Sequence, residues 1–452
     1  MSKRILFVVN TNTYFRGLFN IARKLQERSF EAHIVFDAPY PTIEQDLKLC
    51  ATAKISYSTR DEFRFSKNAF IRIFQSVLQR GKLGNFFKPL IQTLHDLRSI
   101  GKLLKDYKPS LLALAADHIA YSTGIYIKLA HRLGVKSVIF PQWLANEKEP
   151  AEFIYHDPSY EIKSLWSRFI GKFFPEWVLN YKGKKLLRLP PSKIIIKKLL
   201  QISPPHPWIL HSGRADCIAL ESKAMNMIAQ NLGLPKHQTI VTGSLEHDIL
   251  YTTQNSQSEF QKKLYKKYGF SESKPLIVTA LPPNFLTYTG GRPQCEFKTY
   301  EELVRKWIDA LDIDEKANIL ICVHPSVEKN LFTHEEKLNI RVCDEQLVNV
   351  LALADLFVAS VSATIQWAIC SNIPVINYDV YQYDYDEYKD VPGVTLINDF
   401  NSFHQTIDQL IHNPLEIHSL KNEQKKVSSL WGALDGQASD RIVQLVHSLD
   451  NV

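Results

Sequence analysis

The stretch of sequence that decides the fold is residues 319–379, ILICVHPSVEKNLFTHEEKLNIRVCDEQLVNVLALADLFVASVSATIQWAICSNIPVINYD. It holds short apolar runs, which predict strands buried on both faces of a parallel sheet. These runs are 319–323, 356–359 and 374–377, with helical spacing of apolar residues at 345–354 and 364–371. A chain in which strands alternate with helices is typical of βαβ units, so we predict an open parallel sheet of the α/β class.

The same alternation continues on both sides of this stretch. Further strands are predicted at 4–10, 31–37, 111–117, 136–141, 217–220, 239–242, 276–280 and 394–397. Further helices are predicted at 14–28, 87–104, 121–133, 223–232, 300–311 and 415–450. The proline-rich stretch Pro204–Pro207 is the predicted boundary between two such sheets.

These elements predict two Rossmann-like domains with parallel sheets. We expect the first domain at 1–205 and the second at 206–430, with the carboxyl ends of both sheets facing a central cleft where ligands bind. A C-terminal helix at 431–452 is expected to return toward the first domain.

Composition narrows the classes of function. The 452 residues are 45% hydrophobic and 22% charged, which is ample for two cores. A net charge of +7 suits a phosphorylated substrate or an anionic membrane surface. No nucleic-acid-binding motif or long basic tail is present, so nucleic acid is not an expected partner. No GxGxxG or GxxxxGKS/T pattern follows a predicted strand, which disfavours NAD-dependent dehydrogenases and P-loop NTPases.

The cysteines and the apolar runs indicate the compartment. None of the six cysteines belongs to a CxxC pair and most lie in apolar runs, which favours free buried thiols over disulfides or zinc. The apolar run at 4–10 is too short for a signal peptide, and no run approaches transmembrane length. We therefore expect a cytoplasmic protein, and no motif indicates a metal or another cofactor.

A group of polar residues follows two predicted strands of the second half. His324, Pro325 and Ser326 follow one strand, and Ser360, Ser362 and Thr364 follow another and open a helix. Helix N-termini, hydroxyls and an imidazole all donate hydrogen bonds to oxyanions. The sequence therefore predicts a phosphate or diphosphate site here. Each part also has a simpler reading, because one hydroxyl suffices for an N-cap and a histidine often ends a strand.

Other candidate donor contacts lie at neighbouring positions. Gly243 and Ser244 follow the strand TIVT, where glycine permits a tight turn. Pro283 follows the strand LIVTA, and Arg292 lies further along that loop, where a guanidinium is able to clamp phosphate. A structural turn and a solvated loop are equally good readings of these residues.

The order of these motifs resembles the donor domain of GT-B glycosyltransferases. In particular, His-Pro after one strand and Ser-x-Ser-x-Thr after another are similar to bacterial surface-polysaccharide transferases that use CMP-activated sugars, of the Kdo and sialyl types. The segment CIALESKAMNMIAQNLGLPKHQTIVTGSLEHDIL resembles the UDP-N-acetylglucosamine 2-epimerases, and PVINYDVYQYDYDEYKDVPG resembles the teichoic-acid CDP-glycerol transferases. The resemblance covers the C-terminal half; the N-terminal half agrees in topology alone.

The sequence also departs from these families. Gln366 and Trp367 stand where epimerases and many UDP-sugar enzymes carry an acidic residue that holds ribose, which favours a cytidine nucleotide. The acidic-acidic-Gly signature of many bacterial sialyltransferases is absent. The resemblance implies a metal-independent transferase without a cofactor, because GT-B enzymes generally stabilise the leaving phosphate with side chains and a helix dipole.

Acceptor-side chemistry needs a general base near the attacking hydroxyl, or a carboxylate nucleophile in a double displacement. Asp117 and His118 end a predicted strand of the first half, and Glu147 follows the next strand. These three are the catalytic candidates. Asp117 is equally suited to capping the following helix.

A basic and aromatic segment, Lys163–Leu200, has almost no acidic residues. This mixture is typical of peripheral binding to an anionic membrane, here the inner face of the plasma membrane. A helical linker with core aromatics is the alternative.

The leading interpretation is a glycosyltransferase that moves a sugar, with CMP-Kdo as the favoured donor type and a UDP-sugar as another, to a surface-polysaccharide or lipid-linked glycan acceptor, as in capsule or lipopolysaccharide synthesis. The alternatives are a CDP-polyol phosphotransferase of the teichoic-acid type, a UDP-sugar 2-epimerase and a non-catalytic GT-B assembly partner.

Overall fold

The computed structural model describes residues 3–60, 81–142, 147–286, 295–324, 327 and 337–450. The chain divides into two compact α/β units. Unit 1 comprises Met1–Leu220, Asn226–Thr242 and Asp440–Val452, and unit 2 comprises Glu221–Met225 and Gly243–Ser439.

Unit 1 is built on a parallel sheet with helices connecting its strands. The strands are β1 (Arg4–Val9), β2 (Glu31–Phe36), β3 (Ser56–Thr59), β4 (Leu111–Leu114), β5 (Lys136–Ile139), β8 (Cys217–Leu220) and β9 (Thr239–Val241), in the order β3-β2-β1-β4-β5-β8-β9. The hairpin β6 (Val178–Tyr181) and β7 (Lys184–Leu187) is antiparallel and separate from that sheet. The helices are α1 (Asn12–Glu27), α2 (Ile43–Thr52), α3 (Gly81–Tyr107), α4 (Thr123–Arg132), α5 (Lys148–Ile154), α6 (Leu165–Phe173) and α7 (Pro191–Leu199). Helix α8 (Lys223–Asn231) begins in unit 2 and ends in unit 1.

Local sequence explains the first βα unit. Strand β1 is apolar after Arg4 because it lies inside the sheet, between β2 and β4. Helix α1 begins after Thr11, whose hydroxyl accepts a hydrogen bond from the Tyr14 N–H at 3.4 Å. Its buried residues, among them Phe15, Leu18 and Leu25, recur at helical spacing and pack onto the sheet.

Polar groups at the carboxyl edge of β2 satisfy one another. The buried Asp37 carboxylate accepts hydrogen bonds from Asn10 Nδ2 at 2.8 Å, Tyr126 OH at 2.9 Å and Arg60 Nε at 2.6 Å. The Asp96 carboxylate accepts a hydrogen bond from Nη1 of the same guanidinium at 2.6 Å. Because these groups are paired within the fold, this network is read as structural.

Unit 2 has a second parallel sheet. Its strands are β10 (Leu276–Ala280), β11 (Asn318–Cys322), β12 (Ile340–Val342), β13 (Leu356–Ala359), β14 (Val375–Tyr378) and β15 (Val394–Ile397), in the order β12-β11-β10-β13-β14-β15. Its helices are α9 (Leu245–Asn255), α10 (Gln257–Tyr268), α11 (Tyr300–Leu311), α12 (Leu347–Leu351), α13 (Ile365–Cys370), α14 (Phe400–His412), α15 (Pro414–Lys425) and α16 (Ser428–Trp431). Helix α17 (Ala438–Asp450) begins in unit 2 and continues into unit 1, where the chain passes from one unit to the other for the last time.

The predicted α/β class with parallel sheets is confirmed, but the division between the units differs from 205/206. Strands β8 and β9, which follow that position, pair with the sheet of unit 1. Their apolar pattern is the same as that of unit 2 strands, so periodicity does not show which sheet they join. The last residues, Asp440–Val452, belong to unit 1, and Arg28 of that unit lies 2.6 Å from the Asp440 carboxylate.

Two predicted properties are checked by the same structure. All six cysteines are free, and five of them are buried. Within the described ranges, no helix is long and apolar enough to cross a membrane.

Candidate functional site

The carboxyl edge of the unit 2 sheet carries a strained turn between β13 and α13. Val361 has φ of +43°, a left-handed conformation that β-branched residues rarely adopt. Its N–H donates to Asn377 Oδ1 at 2.8 Å, and Asn377 belongs to the neighbouring strand β14. Strained backbone held in place by a neighbouring strand is common at ligand sites, where it aims side chains and N–H groups.

Two hydroxyls of this turn lie side by side. Ser362 Oγ is 2.8 Å from Thr364 Oγ1, and it also accepts the Thr364 N–H at 3.3 Å. Thr364 is the N-cap residue of α13, yet its side chain makes no capping hydrogen bond. Simple N-capping therefore does not explain these hydroxyls. Helix α13 has six residues, so the case for an oxyanion site rests on the side chains of the turn.

Ser360 begins the turn and is 8% exposed. Its hydroxyl has no hydrogen-bond partner among the residues that the structure describes. A buried hydroxyl without a partner is unfavourable, and such groups are often completed by a ligand.

His324 follows β11 on the same sheet and is partly buried. Burial lowers its pKa below the usual value, so the imidazole is neutral at pH 7. In the sheet, β10 lies between β11, which precedes His324, and β13, which precedes Ser360. Cys322, Ala280 and Ala359 are in register across the three strands. The two strand ends are thus separated by two strand spacings, about 10 Å, which suits an extended diphosphate better than one phosphate.

The segment that follows β10 is held by two tyrosine side chains. The Pro283 carbonyl accepts a hydrogen bond from Tyr381 OH at 2.6 Å, and the Pro282 carbonyl accepts one from Tyr300 OH at 2.7 Å. Tyr381 follows β14 and Tyr300 begins α11, so these bonds connect the segment after β10 to two other elements of unit 2. Neither tyrosine was among the predicted site residues. The other predicted residues of this edge, Pro325, Ser326 and Arg292, lie outside the described residues.

Gly243 and Ser244 lie at the start of α9, in unit 2. Gly243 has φ of +81°, so its tight turn requires glycine. Ser244 is the N-cap residue of α9 but makes no capping hydrogen bond through its side chain. The contacts described here do not bring these two residues to the Ser360–Thr364 turn.

Beside them lie two acidic residues that were not predicted, the buried Glu221 and the partly buried Glu246. Glu221 is 8% exposed, and burial, followed by the nearby Glu246, raises its pKa to about 8. Burial also raises the pKa of Glu246. His247 Nε2 lies 4.0 Å from Glu221 Oε2. Glu221 therefore carries its proton at neutral pH.

In unit 1, the predicted catalytic residues Asp117 and His118 follow β4. Asp117 is buried; its carboxylate accepts a hydrogen bond from Ser212 Oγ and lies 3.8 Å from Arg214 Nε. His118 Nδ1 accepts the Ala120 N–H at 3.2 Å. Burial, with the charges of neighbouring basic residues, lowers the pKa of His118 to about 4. In the neutral ring the proton is then on Nε2.

Glu147, the third candidate, is exposed at the start of α5. It is the N-cap residue, but its side chain makes no capping hydrogen bond. No group of three or more metal-ligating side chains occurs within the described ranges.

Comparison with protein families decides the superfamily. Residues 211–448 match the model of the CDP-glycerol:poly(glycerophosphate) glycerophosphotransferase family, which is more than half of the chain. The chain belongs to this family. The matched region includes the Ser360–Thr364 turn, His324 and Glu221, and it makes the protein a transferase.

Solved structures agree on the fold. UDP-GlcNAc 2-epimerase from Neisseria meningitidis, bound to UDP-GlcNAc, superposes with a TM-score of 0.54 at 12% identity, covering 98% of this chain and 100% of that one. A glycosyltransferase from Rickettsia africae superposes with a TM-score of 0.52 at 13% identity, covering 100% of this chain and 98% of that one. A variant of the wall teichoic acid polymerase TagF superposes with a TM-score of 0.53 at 11% identity, covering 100% of this chain and 89% of that one. Among curated proteins, none matches.

These neighbours show that this family member has the GT-B fold. Their identities, between 11% and 13%, are too low to carry substrate over from any one of them.

Proposed function

We propose that this glycerophosphotransferase-family member transfers a group from a cytidine-nucleotide donor to an acceptor hydroxyl, with the donor phosphates at the carboxyl edge of the unit 2 sheet. The favoured donor is a CDP-polyol, which the name of the matched family contains. The observation that carries the proposal is the turn of Ser360, Ser362 and Thr364, with its strained backbone and its clustered hydroxyls.

In this reaction an acceptor oxygen attacks the phosphorus that carries the polyol. A new P–O bond forms to the acceptor, the P–O bond of the diphosphate breaks, and CMP leaves with the bonding electron pair. The acceptor proton passes to a base. Because negative charge develops on the departing CMP phosphate, hydroxyl donors placed there stabilise the transition state.

In this proposal the Ser360–Thr364 turn binds one phosphate of the diphosphate and His324 binds the other. The two strand ends are separated by β10, and the backbone that follows β10 is held by the tyrosine contacts to Pro282 and Pro283. The neutral imidazole of His324 donates a hydrogen bond from one ring nitrogen. A bound phosphate favours the charged imidazole, so donor binding raises the His324 pKa from its depressed value.

The proposed base is Glu147. Asp117 is engaged by Ser212 and Arg214, and His118 uses its Nδ1 lone pair for the Ala120 N–H. Glu147 is exposed, and its carboxylate makes no capping hydrogen bond. Asp117 then acts as a positioning residue that holds Ser212 and Arg214.

A sugar transfer from a CMP-sugar is the second candidate, favoured by the GT-B neighbours that are glycosyltransferases. Both reactions release CMP, so the fate of the donor phosphorus separates them. Incubation with CDP-glycerol or a CMP-sugar, with an alcohol acceptor, is followed by ³¹P NMR. A new phosphodiester in the product supports the phosphotransferase. A phosphorus-free glycoside supports the sugar transferase, and release of CMP from neither donor overturns the proposal.

Membrane association at helix α6 is part of the proposal. Leu165, Trp166, Phe169 and Phe173 are 84%, 51%, 50% and 59% exposed. The Trp166 and Phe169 rings stack with centroids 5.7 Å apart. Lys163, Arg168 and Lys172 are exposed on the same segment. Aromatic rings flanked by basic residues suit the interface of an anionic bilayer. Trp177, from the same predicted segment, is fully buried and belongs to the core instead.

A further inference from the structure

Unit 1 contains a group of basic side chains that the proposed reaction does not use. Arg188 follows the hairpin strand β7, Lys197 lies on α7, and Arg214 precedes β8. The Asp117 carboxylate attracts Lys197 and Arg214, and the charges of Lys197 and Arg188 both act on His118. We call Arg188, Lys197 and His118 the basic cluster, because Arg214 has its own partners.

Arg214 is fully committed within the fold. Its guanidinium donates to the Gly124 carbonyl at 3.0 Å and to the Ile202 carbonyl at 2.5 Å, and its Nε is 3.8 Å from Asp117 Oδ2. Asp117 also accepts the Ser212 hydroxyl. Asp117 thus forms its ion pair with Arg214; it also attracts Lys197, but neither Lys197 nor Arg188 forms an ion pair with it in the described part of the chain.

Arg188 and Lys197 have no such partners in the described part of the chain. The guanidinium carbon of Arg188 lies 5.8 Å from the centre of the Trp208 ring, and its Nε is buried without a hydrogen-bond partner. Tyr160 and Glu149 act on Arg188 at a distance and raise its pKa, but neither forms an ion pair with it. Lys197 is partly exposed, and its ammonium makes neither a hydrogen bond nor an ion pair to a described residue. Partial exposure leaves both cations within reach of a ligand.

His118 lies in the same place. Its neighbour Ile119 packs in one apolar cluster with Leu187 and Leu189, which flank Arg188. Both Arg188 and Lys197 lower the pKa of His118, after burial, so their charges act on its ring. The ring is neutral with its proton on Nε2. The Nε2–H group is therefore a third hydrogen-bond donor beside the ammonium of Lys197 and the guanidinium of Arg188.

We propose that the basic cluster is an anion-binding subsite of unit 1, which holds a phosphate group of the acceptor. Cations removed from water without a counter-charge are unfavourable, and a bound oxyanion supplies that charge. The guanidinium of Arg188 presents paired N–H groups, the geometry that suits phosphate oxygens. The choice of an acceptor phosphate rests on the proposed function, since the matched family is named for a poly(glycerophosphate).

The test measures binding of a phosphodiester and of CMP to the whole protein by calorimetry. The diester probe is glycerophosphoglycerol, and the variants are Lys197→Met and Arg188→Gln. Lys185→Met, at an exposed position of the hairpin, is the matched loss of one positive charge. We expect each cluster variant to weaken diester binding about tenfold or more, with CMP binding unchanged and Lys185→Met like the wild type.

Other results overturn the subsite. They are no diester binding by the wild type, equal diester affinity in wild type and both cluster variants, or a loss of CMP affinity with diester affinity kept, which assigns the cluster to the donor. Thermal unfolding shows whether the variants are folded. Because Lys197 has no ion-pair partner in the described part of the chain, the Tm of Lys197→Met without ligand should equal or exceed that of the wild type. A lower Tm identifies Lys197 as a structural group.

The pH dependence supplies a second readout. Burial, with repulsion from Arg214 and Lys193 and against the attraction of Asp117, lowers the pKa of Lys197 to about 8. The diester stays a monoanion, so only the protein titrates. Lys197 is a cation below that pKa, and diester affinity should fall as pH rises from about 7 to about 9, which is below the pKa of Arg188 that burial lowers to about 10. Lys197→Met should abolish this fall; a fall that persists in the variant contradicts the role of Lys197. Failure here, with phosphorus transfer from CDP-glycerol intact, removes the subsite and leaves the proposed function standing.

Discussion

The backbone N–H of Val361 donates a hydrogen bond to the side-chain oxygen of Asn377, with the two atoms 2.8 Å apart. Asn377 is a buried residue of β14, and Val361 is the left-handed residue between Ser360 and Ser362. One strand thus holds the backbone of its neighbour's turn in a conformation that valine alone does not favour.

Asn377→Ala removes that acceptor and should release the turn. We expect a loss of stability of about 1–3 kcal/mol, because the Val361 N–H is left without its partner, and weaker CMP binding. Chemical denaturation and calorimetry measure the two effects. Asn377→Asp is the control: it keeps an acceptor for the N–H but adds negative charge, so stability should be largely kept while nucleotide affinity falls. Full CMP affinity in Asn377→Ala contradicts the role of the turn.

Ser360→Ala should separate a ligand group from a structural one. The buried Ser360 hydroxyl has no partner among the described residues, so its removal should leave the Tm of the empty protein unchanged or slightly higher. If the hydroxyl meets a donor phosphate, CMP affinity should fall about tenfold. Reduced Tm together with unchanged CMP binding shows instead that Ser360 serves the fold.

Glu221→Gln tests the buried acid. Its pKa is raised to about 8, so the folded state binds a proton more tightly than the unfolded state. A raised acid pKa lowers stability as pH rises from the unfolded value, about 4.3, to the folded value. Relative to Glu221→Gln, the wild type should therefore lose stability between about pH 5 and about pH 8. The groups that act on Glu221 or respond to it are Glu246, Trp367, His247, Cys370 and Tyr388. Parallel stability–pH curves for the two proteins rule out a protonated Glu221.

The exposed face of α6 predicts salt-sensitive membrane binding. Trp166→Ser with Phe173→Ser should reduce sedimentation with vesicles that contain anionic lipid, and should leave stability nearly unchanged because both rings are largely exposed. The matched control is Phe153→Ser, an exposed aromatic on α5, 60% exposed. Equal sedimentation of the double variant and the wild type, or binding that salt does not weaken, refutes the membrane role.

The sequence predicted the sheets well because strands buried on both faces leave a strong apolar signal. It did not predict which sheet receives β8 and β9, since that depends on long-range pairing. Strand β12 was missed because it is only three residues long, too short for a clear apolar pattern. The position of β10 between β11 and β13 was also missed, because it too depends on long-range pairing.

The candidate site shows the same limit. Ser360, Ser362 and Thr364 are adjacent in sequence, so their grouping was predictable from spacing. Asn377 was missed because its importance comes from a contact between neighbouring strands. The basic cluster was missed because its members lie apart in the sequence. His118 was predicted as a catalytic candidate, whereas Arg188 and Lys197 fall in the predicted membrane segment, and nothing in the sequence shows that the three side chains are close.

The central claim is that the edge formed by His324 and the Ser360–Thr364 turn binds the donor phosphates, and CMP affinity tests it most directly. Calorimetric titration of CMP into His324→Ala and Ser362→Ala should show dissociation constants raised about ten- to hundredfold, as expected for lost hydrogen bonds to a charged group. Ser362→Ala should also cost about 1 kcal/mol of stability, because its hydroxyl accepts the Thr364 N–H. Thr406→Val, at a partly exposed position of α14, should bind CMP like the wild type. Wild-type CMP affinity in both His324→Ala and Ser362→Ala would contradict the account.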